Sequence, residues 1–583
     1  MNGLLIKFRK RNIQANLPHF LLVIFVVAVS VCLITGLFIS HLTLSNSIQK
    51  FYTNSNLPSL WIHTDKITSQ DEDFLSQFEY GKRYSFDSDF TVGTHKYNSR
   101  FLVADGEVSR PYLIEGAKGK GCYVDAKFVE KYKIGINNSK IKLEFSINNE
   151  TRTLSFIVLG SLAMAEDLLV DDECVIFIDE EIFLNELKSS FMGQENVAID
   201  YNQVLITSSL STNDEANIRE YYANRTGAPS EIKAQNDIVS FEAVAREIEV
   251  SKAMLVVFPS LFVIVSILVV ISAVSELISK ERYNFGLLKS IGISNQKILS
   301  NYCGYGVYLC LIGAVLGMLL APLIVPNVSF ETYDMLFNLP RDEVQMLIPY
   351  WLIITIIFSV ILIGYFSAFV VCIKFTLRTP KECMQGVRKI KLNKRQNKKR
   401  GGRLISALKN MKDNPARTIM SLFAIAGCSI LILLGYAVEL LDKTRENIQN
   451  VKSFQMYSTL FKGFAVVILL LTIIVVIMQI LKEKSREIAM QRIHGETYFK
   501  VWLNLMIEMI VLGVLGFAFA GILVQPIFML MLKFFNIYTM IFIDFIGFLK
   551  TFLIVSGFIL TSSIIAIIKI YKTDMVDATK FSE

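Results

Sequence analysis

The sequence lacks the parts that most catalytic sites require. None of its 583 residues forms a Walker A loop. Gly116-Ala-Lys-Gly-Lys-Gly121 has glycines and lysines, but neither the spacing nor the Lys-Ser/Thr ending that seats a phosphate. The chain therefore carries no ATP-hydrolysing site of its own. Its five histidines are scattered, so neither a metal cluster nor a Ser-His-Asp arrangement can be drawn from spacing. No catalytic residue, metal or cofactor is expected. The eight cysteines show no ligand spacing either, and Cys32, Cys303, Cys310, Cys372 and Cys428 lie in or beside apolar runs, as small packing residues do. Cys122 and Cys174 fall in the polar region, where a disulfide and two free thiols are both compatible with the sequence. Charge is scarce as well, at 19% of residues. Within the apolar runs Glu276, Glu439 and Glu508 stand out, and each lies near an end. Proton or ion relays need such groups deep in the membrane, so a secondary transporter is disfavoured.

What is abundant is apolar sequence. Hydrophobic residues make up 52% of the chain and the mean hydropathy is +0.45, values of an integral membrane protein. Eight runs are long enough to span, near Leu17 to Leu42, Ala253 to Ser275, Tyr302 to Val325, Ile348 to Ile373, Thr418 to Leu440, Gly463 to Leu481, Val501 to Val524 and Phe548 to Ile570. The first is too long, and has no clear cleavage site, for a removed signal; it is expected to be retained. Gln525 to Gly547 is apolar but holds Pro526, Lys533 and Asp544, and reads as an outer or re-entrant segment. Its counterpart, Asn327 to Leu347, reads as a loop.

Lys and Arg set the orientation. Lys374 to Arg417 is densely basic, including Lys394-Arg-Gln-Asn-Lys-Lys-Arg400, whereas Asn327 to Pro349 holds only Arg341. The basic loops and both termini are therefore expected in the cytoplasm of a multi-pass cell-membrane protein. The net charge of +7 is then topology charge lying near anionic lipid, and no nucleic-acid partner is expected. Thr43 to Val250 has the hydropathy of a soluble domain. Alternation in Lys140 to Ile147 and Thr153 to Leu159 reads as a hairpin joined through Asn148-Asn149; Val175 to Ile178 and Val204 to Thr207 read as further strands. Helices near Ile67 to Phe78, Ala126 to Tyr132 and Asp214 to Arg225 complete a mixed domain. From about Ser240 a helical pattern runs to Lys280, interrupted only by Pro259.

One stretch occurs twice. Glu281-Arg-Tyr-Asn-Phe-Gly-Leu-Leu-Lys-Ser-Ile-Gly292 and Ser485-Arg-Glu-Ile-Ala-Met-Gln-Arg-Ile-His-Gly495 each follow a long apolar run, carry basic residues and end in glycine. With Asn284 set on Glu487, Gly292 meets Gly495 and Gly313 meets Gly516. Two further pairs keep the same order: Arg11-Asn-Ile-Gln-Ala-Asn16 with Lys409-Asn-Met-Lys-Asp-Asn414, and Thr379-Pro-Lys-Glu-Cys-Met384 with Asp574-Met-Val-Asp-Ala-Thr579. Such order argues for a duplicated four-span module. The fold class expected is an α-helical integral membrane protein, eight transmembrane helices in two four-helix repeats, with an extracytoplasmic α+β domain between the first two helices. Its parts are 1–42 entry segment and first span, 43–250 outer domain, 251–376 first module, 377–415 basic linker and second entry segment, and 416–583 second module. In the repeated stretch Phe285, Leu287, Leu288 and Ile291, and again Ile488, Met490 and Ile493, recur near helical spacing. This suits a short helix that either lies on membrane lipid or docks its exposed face into a soluble partner, two copies accommodating two partners.

The segment Arg282 to Gly292 resembles the R-x-E-I-G-x-L-R-A-x-G stretch of FtsX-like ABC transporter permeases, the group that includes MacB-type and lipoprotein-releasing systems. Arg486-Glu-Ile with Gly495 keeps part of it, and Thr379 to Met384 resembles the family's closing D-P-x-E-A-L. In the outer domain Phe128 to Gly135 and Phe156 to Gly160 resemble the MacB-type core. The sequence departs from the pattern at Asn284, at Tyr305 opposite the family-like Glu508, and at Asp574. The resemblance implies a non-catalytic type VII permease, acting as a pseudo-dimer within one chain and served by two copies of a separate ABC ATPase. Arg282, Phe285, Gly286, Leu287, Leu288, Ile291, Gly292, Arg486, Glu487, Ile488, Met490, Ile493 and Gly495 would then couple ATP hydrolysis to the outer domain. The implied task is export or removal of a peptide or antimicrobial-like amphiphile. The alternatives are regulation of an extracytoplasmic hydrolase or sensor kinase, and extraction of lipid or lipoprotein.

Overall fold

The computed structural model describes residues 17–147, 150–169, 174–191, 199–207, 210–225, 231–385, 408, 411–412, 415–443, 453–534 and 542–571. The first entry segment, most of the second, the Asn148-Asn149 turn, the Lys394 to Arg400 run and the Asp574 to Thr579 segment lie outside the described residues. The chain divides into two units. One comprises 1–40, 250–329 and 348–583; the other comprises 41–249 and 330–347.

Long helices dominate the first unit. They are α1 (Leu17–Asn54), α2 (Val239–Lys280), α4 (Asn295–Leu336), α5 (Tyr350–Thr376), α7 (Pro415–Lys443), α8 (Ser453–Glu483), α10 (Tyr498–Phe534) and α11 (Phe545–Tyr571). Among the described residues three short helices accompany them: α3 (Arg282–Ser290), α6 (Pro380–Gln385) and α9 (Ser485–Ile493). All eight long helices are long and apolar enough to cross a membrane. Pro259 does not break α2, nor Pro322 and Pro326 α4, nor Pro526 α10. In an apolar setting, neighbouring helices satisfy what a proline leaves open, while unwinding would expose backbone groups that nothing solvates.

Close crossings are set by glycine. A methyl group added at Gly313 of α4 would come 2.8 Å from Val27 Cβ and 2.9 Å from the Ile24 carbonyl oxygen of α1. At Gly516 of α10 it would come 3.1 Å from Ile425 Cγ2 and 3.4 Å from the Leu422 carbonyl oxygen of α7. Setting Arg11 on Lys409 places Ile24 on Leu422 and Val27 on Ile425, so the two crossings use corresponding residues. Small residues at these points let the backbones approach, which is how helices associate where hydrophobicity gives no preference. Helices α2 and α8 also meet along a seam. Phe258 and Phe461, which coincide when Asn284 is set on Glu487, stack with ring centroids 3.4 Å apart and planes 6° apart. Further along, Ser272 and the Gln479 side chain are hydrogen-bonded at 3.1 Å and Lys482 lies 3.4 Å from Glu276.

The second unit is β-rich. Its strands are β1 (Leu60–His63), β2 (Tyr80–Val92), β3 (His95–Ala104), β4 (Tyr112–Gly116), β5 (Cys122–Asp125), β6 (Lys140–Ile147), β7 (Glu150–Ala163), β8 (Cys174–Asp179), β9 (Gln203–Ile206) and β10 (Glu231–Ala234). Six of them close into a ring, β2-β3-β8-β5-β7-β6 and back to β2. The β3–β8 and β5–β7 pairs are parallel. Inward-facing Phe90, Phe101, Val124, Ile141, Leu143, Leu154, Phe156 and Ile176 fill it, with Phe183 from helix Glu180–Ser190. Long β2 leaves the ring at its start to pair β9, extending a smaller sheet through β1 to β10. Cys122 and Cys174 are both buried and unbonded in this core.

The stretch expected to be a loop after Asn327 differs. Helix α4 continues to Leu336, and residues 330–347 belong to the β-rich unit. Polar residues of this stretch are paired there. Asp334 meets Lys127 at 2.8 Å and Arg341 at 2.6 Å, Asn338 N donates to the Leu168 carbonyl at 2.7 Å, and Asn338 also donates to Asp125. Helix α10 likewise continues through Pro526 to Phe534, into the segment expected to be outer or re-entrant.

Candidate functional site

The repeated stretches form α3 and α9, nine residues each. Both begin at the same bend. Glu281, between α2 and α3, has φ/ψ of −91°/9°, and Lys484, between α8 and α9, has −93°/7°. The bend keeps the hydrogen bonding continuous: Phe285 N reaches the Glu281 carbonyl at 2.9 Å, and Ile488 N the Lys484 carbonyl at 2.8 Å. Both helices also end alike. Gly292 and Gly495 take φ of +85° and +83°, and in each a pair of backbone bonds closes the turn: Gly292 N to Lys289 O with Ile293 N to Leu288 O, and Gly495 N to Arg492 O with Glu496 N to Gln491 O. This is the Schellman stop, which needs a left-handed residue just past the helix and so selects glycine.

The apolar positions divide between two faces. Phe285 is fully buried against Tyr302, ring centroids 5.3 Å apart, and Ile488, its counterpart, is buried too. Gly286 lies against α6, where a methyl group would come 2.6 Å from Met384 Cγ and 3.0 Å from the Pro380 carbonyl oxygen. Leu287 and Ile291 instead face outward, 40% and 68% exposed, as do Met490 and Ile493 at 45% and 60%. Leu288 is half-buried and Glu487 exposed, while Arg282 opens α3 and Arg486 lies in the first turn of α9. One apolar stripe in the sequence is thus an inner packing face and an outer free face.

Sequence reasoning missed several members. Tyr283 is 56% exposed beside Leu287. Lys289 Nζ donates to the carbonyls of Thr376 at 2.6 Å and Arg378 at 2.7 Å, closing the end of α5. The Thr379-Pro-Lys-Glu382 motif is a capping box: Thr379 N donates to Glu382 Oε2 at 3.0 Å and Glu382 N to Thr379 Oγ1 at 3.3 Å, with proline at the first helical position, where no N–H is needed. That motif builds the cradle for Gly286. In the second copy Arg492 stacks on Tyr498 at 3.3 Å and donates to the Glu496 carbonyl at 2.8 Å. The residues at the bends are tied to the following long helix. Tyr302 donates its hydroxyl to Glu281 at 3.0 Å, and Lys484 pairs with Glu508.

Among the described residues no group of His, Cys, Asp and Glu could hold a metal ion. A polar groove on the β-rich unit is lined by Thr68, Asp71, Glu220, Tyr221 and Arg225, with Arg225 paired to buried Asp71 at 2.8 Å.

Residues 256–380, from within α2 to the start of α6, match the family model described as FtsX-like permease C-terminal. No curated protein matches the chain. The match supports the FtsX-like permease family, whose members are in general non-catalytic transport components that work with an ABC ATPase. Together with the eight helices that, among the described residues, are long and apolar enough to cross a membrane, the match points to a multi-pass membrane protein with a permease-type region.

Proposed function

We propose that this chain is the permease subunit of an ATP-driven transporter of the type VII class, in which ATP hydrolysis on separate cytoplasmic subunits moves an extracytoplasmic domain. The observation that carries the reading is the pair α3 and α9. Each follows a bend at the end of a long helix, stops on a left-handed glycine and leaves an apolar outer face uncovered. A repeated knob of this kind fits the groove of a soluble partner. The matched crossings at Gly313 and Gly516, and the stack of Phe258 on Phe461, support two four-helix modules arranged as a pseudo-dimer in the cell membrane, both termini cytoplasmic. Two ATPase copies then serve one chain. The single MacB-like β-rich unit is the part without a twin, so we assign it the choice of substrate, a peptide or antimicrobial-like amphiphile to be exported or removed.

Native mass of the complex purified through a tag on this chain tests the arrangement. One permease with two ATPase subunits is expected. A stable complex of two permeases with two ATPases would overturn the intramolecular pseudo-dimer.

A further inference from the structure

The residues at the two bends, Glu281 and Lys484, correspond in sequence and carry opposite charge. Neither side chain caps the short helix that it precedes. Each reaches across to the next long helix instead: Glu281 accepts from Tyr302 of α4, and Lys484 donates to Glu508 of α10. These are closed sites. Glu281 is 7% exposed, Tyr302 fully buried and Glu508 1% exposed. Taking such groups out of water is costly, and an apolar pair of similar volume generally packs as stably. An apolar contact slides, whereas a directed hydrogen bond or ion pair fixes both distance and angle between the two groups. The expensive solution stands at the pivot of both short helices, and two different chemistries make the same link.

We infer that Glu281–Tyr302 and Lys484–Glu508 are transmission clamps, pairs of positioning residues that oblige α4 to follow α3 and α10 to follow α9. The inference deepens the coupling role proposed for α3 and α9 and rests on it. The clamps differ in what breaks them. Tyr302 needs only an acceptor, so Glu281→Gln keeps the first clamp while Tyr302→Phe removes it. The second needs an ammonium or guanidinium donor on one helix and its acceptor on the other, so Lys484→Met opens it, Lys484→Arg retains it, and the exchange of Lys484→Glu with Glu508→Lys rebuilds it.

The test uses the full chain in lipid nanodiscs, spin-labelled at Ile493→Cys for the second clamp or Ile291→Cys for the first. Both sites are exposed, and the eight native cysteines are buried. Without ATPase, Lys484→Met and Tyr302→Phe are each expected to raise label mobility on their own helix, with Lys484→Arg and Glu281→Gln at the wild-type level. With ATPase added to the same variants carrying no label, recruitment should persist while permease-stimulated turnover falls roughly tenfold or more, because the link at the pivot is broken. The exchanged pair should restore both. Unchanged mobility in Lys484→Met and Tyr302→Phe overturns the clamps, as does loss of mobility control in Lys484→Arg. Met490→Asp separates the two ideas: ATPase recruitment unaffected by that substitution refutes docking on α9, whereas the mobility readings still decide the clamp.

Discussion

Replacing Leu287 and Ile291 together by aspartate removes the apolar surface that α3 leaves uncovered. Burying a Leu or Ile side chain fully stabilises by about 1.5–3 kcal/mol, but only the part still exposed can contribute to docking. That share is 40% for Leu287 and 68% for Ile291, or about 0.6–1.2 and about 1–2 kcal/mol respectively. Their joint loss is about 2–3 kcal/mol, equivalent to roughly 30- to 150-fold in Kd, before any cost of desolvating the new carboxylates. Because both side chains point away from Tyr302 and α6, α3 should remain folded; Phe285, fully buried, is the position to leave untouched. The measurement is titration of purified ATPase onto the variant chain, with circular dichroism and melting as controls for folding. A double variant that melts like wild type and binds ATPase within about threefold of it would refute docking through this face, since about 0.7 kcal/mol is all that such a change represents.

Gly292 and Gly495 have nothing near the position of an added methyl group. Alanine at either should therefore cost only the left-handed backbone, about 1–2 kcal/mol, with asparagine recovering part of it; hydrogen exchange at the ends of α3 and α9 reports this, and equal exchange in all variants would contradict it. Phe258→Ala and Phe461→Ala should each destabilise by about 3 kcal/mol, and the double variant by clearly less than the sum because each removes the other's partner; additive shifts in detergent melting would refute the stack. Burial pushes the Asp125 carboxyl up to about 6, against about 3.9 in an unfolded chain. The folded state then holds a proton that the unfolded state releases, so stability should fall by about 2 kcal/mol as pH rises from about 4 to 6. Asp125→Asn should abolish that slope, and its persistence in pH-dependent melting of the variant would refute the assignment.

The eight long helices were legible because each holds a span's length of apolar residues, and hairpin β6–β7 because its residues alternate. Strands β2 and β3 escaped notice. Tyr80 to Val92 carries Lys82, Arg83, Asp87 and Asp89 and is half-buried along most of its length, since it serves two sheets in turn. With no clean inner and outer face, it has no period of two to read. The end of α4 was misread for a related reason: Glu331, Asp334 and Asn338 look like loop residues until Lys127, Arg341 and Asp125 are brought to the latter two. In the short helices the sequence marks apolar positions without saying which neighbour covers them. Phe285 is taken by Tyr302, and Leu287 is left outside. The ties at the bends were harder still, because Glu281 and Tyr302, or Lys484 and Glu508, belong to different helices and share no motif.

The closed ring of strands has a consequence for how this domain meets other proteins. A sheet normally offers two open edges, each a row of backbone donors and acceptors ready to pair with a foreign strand. Here β2 and β6 seal the ring against each other, and the open margins lie on β4 and β10, each paired on one side among the described residues. Both are short, and β4 carries Glu115 while β10 carries Glu231 and Lys233, charges of the sort that discourage strand addition. Among the described residues, recognition at this domain therefore falls mainly to side chains and loops. A partner must be chosen by shape and charge, because little main chain is left to be zipped.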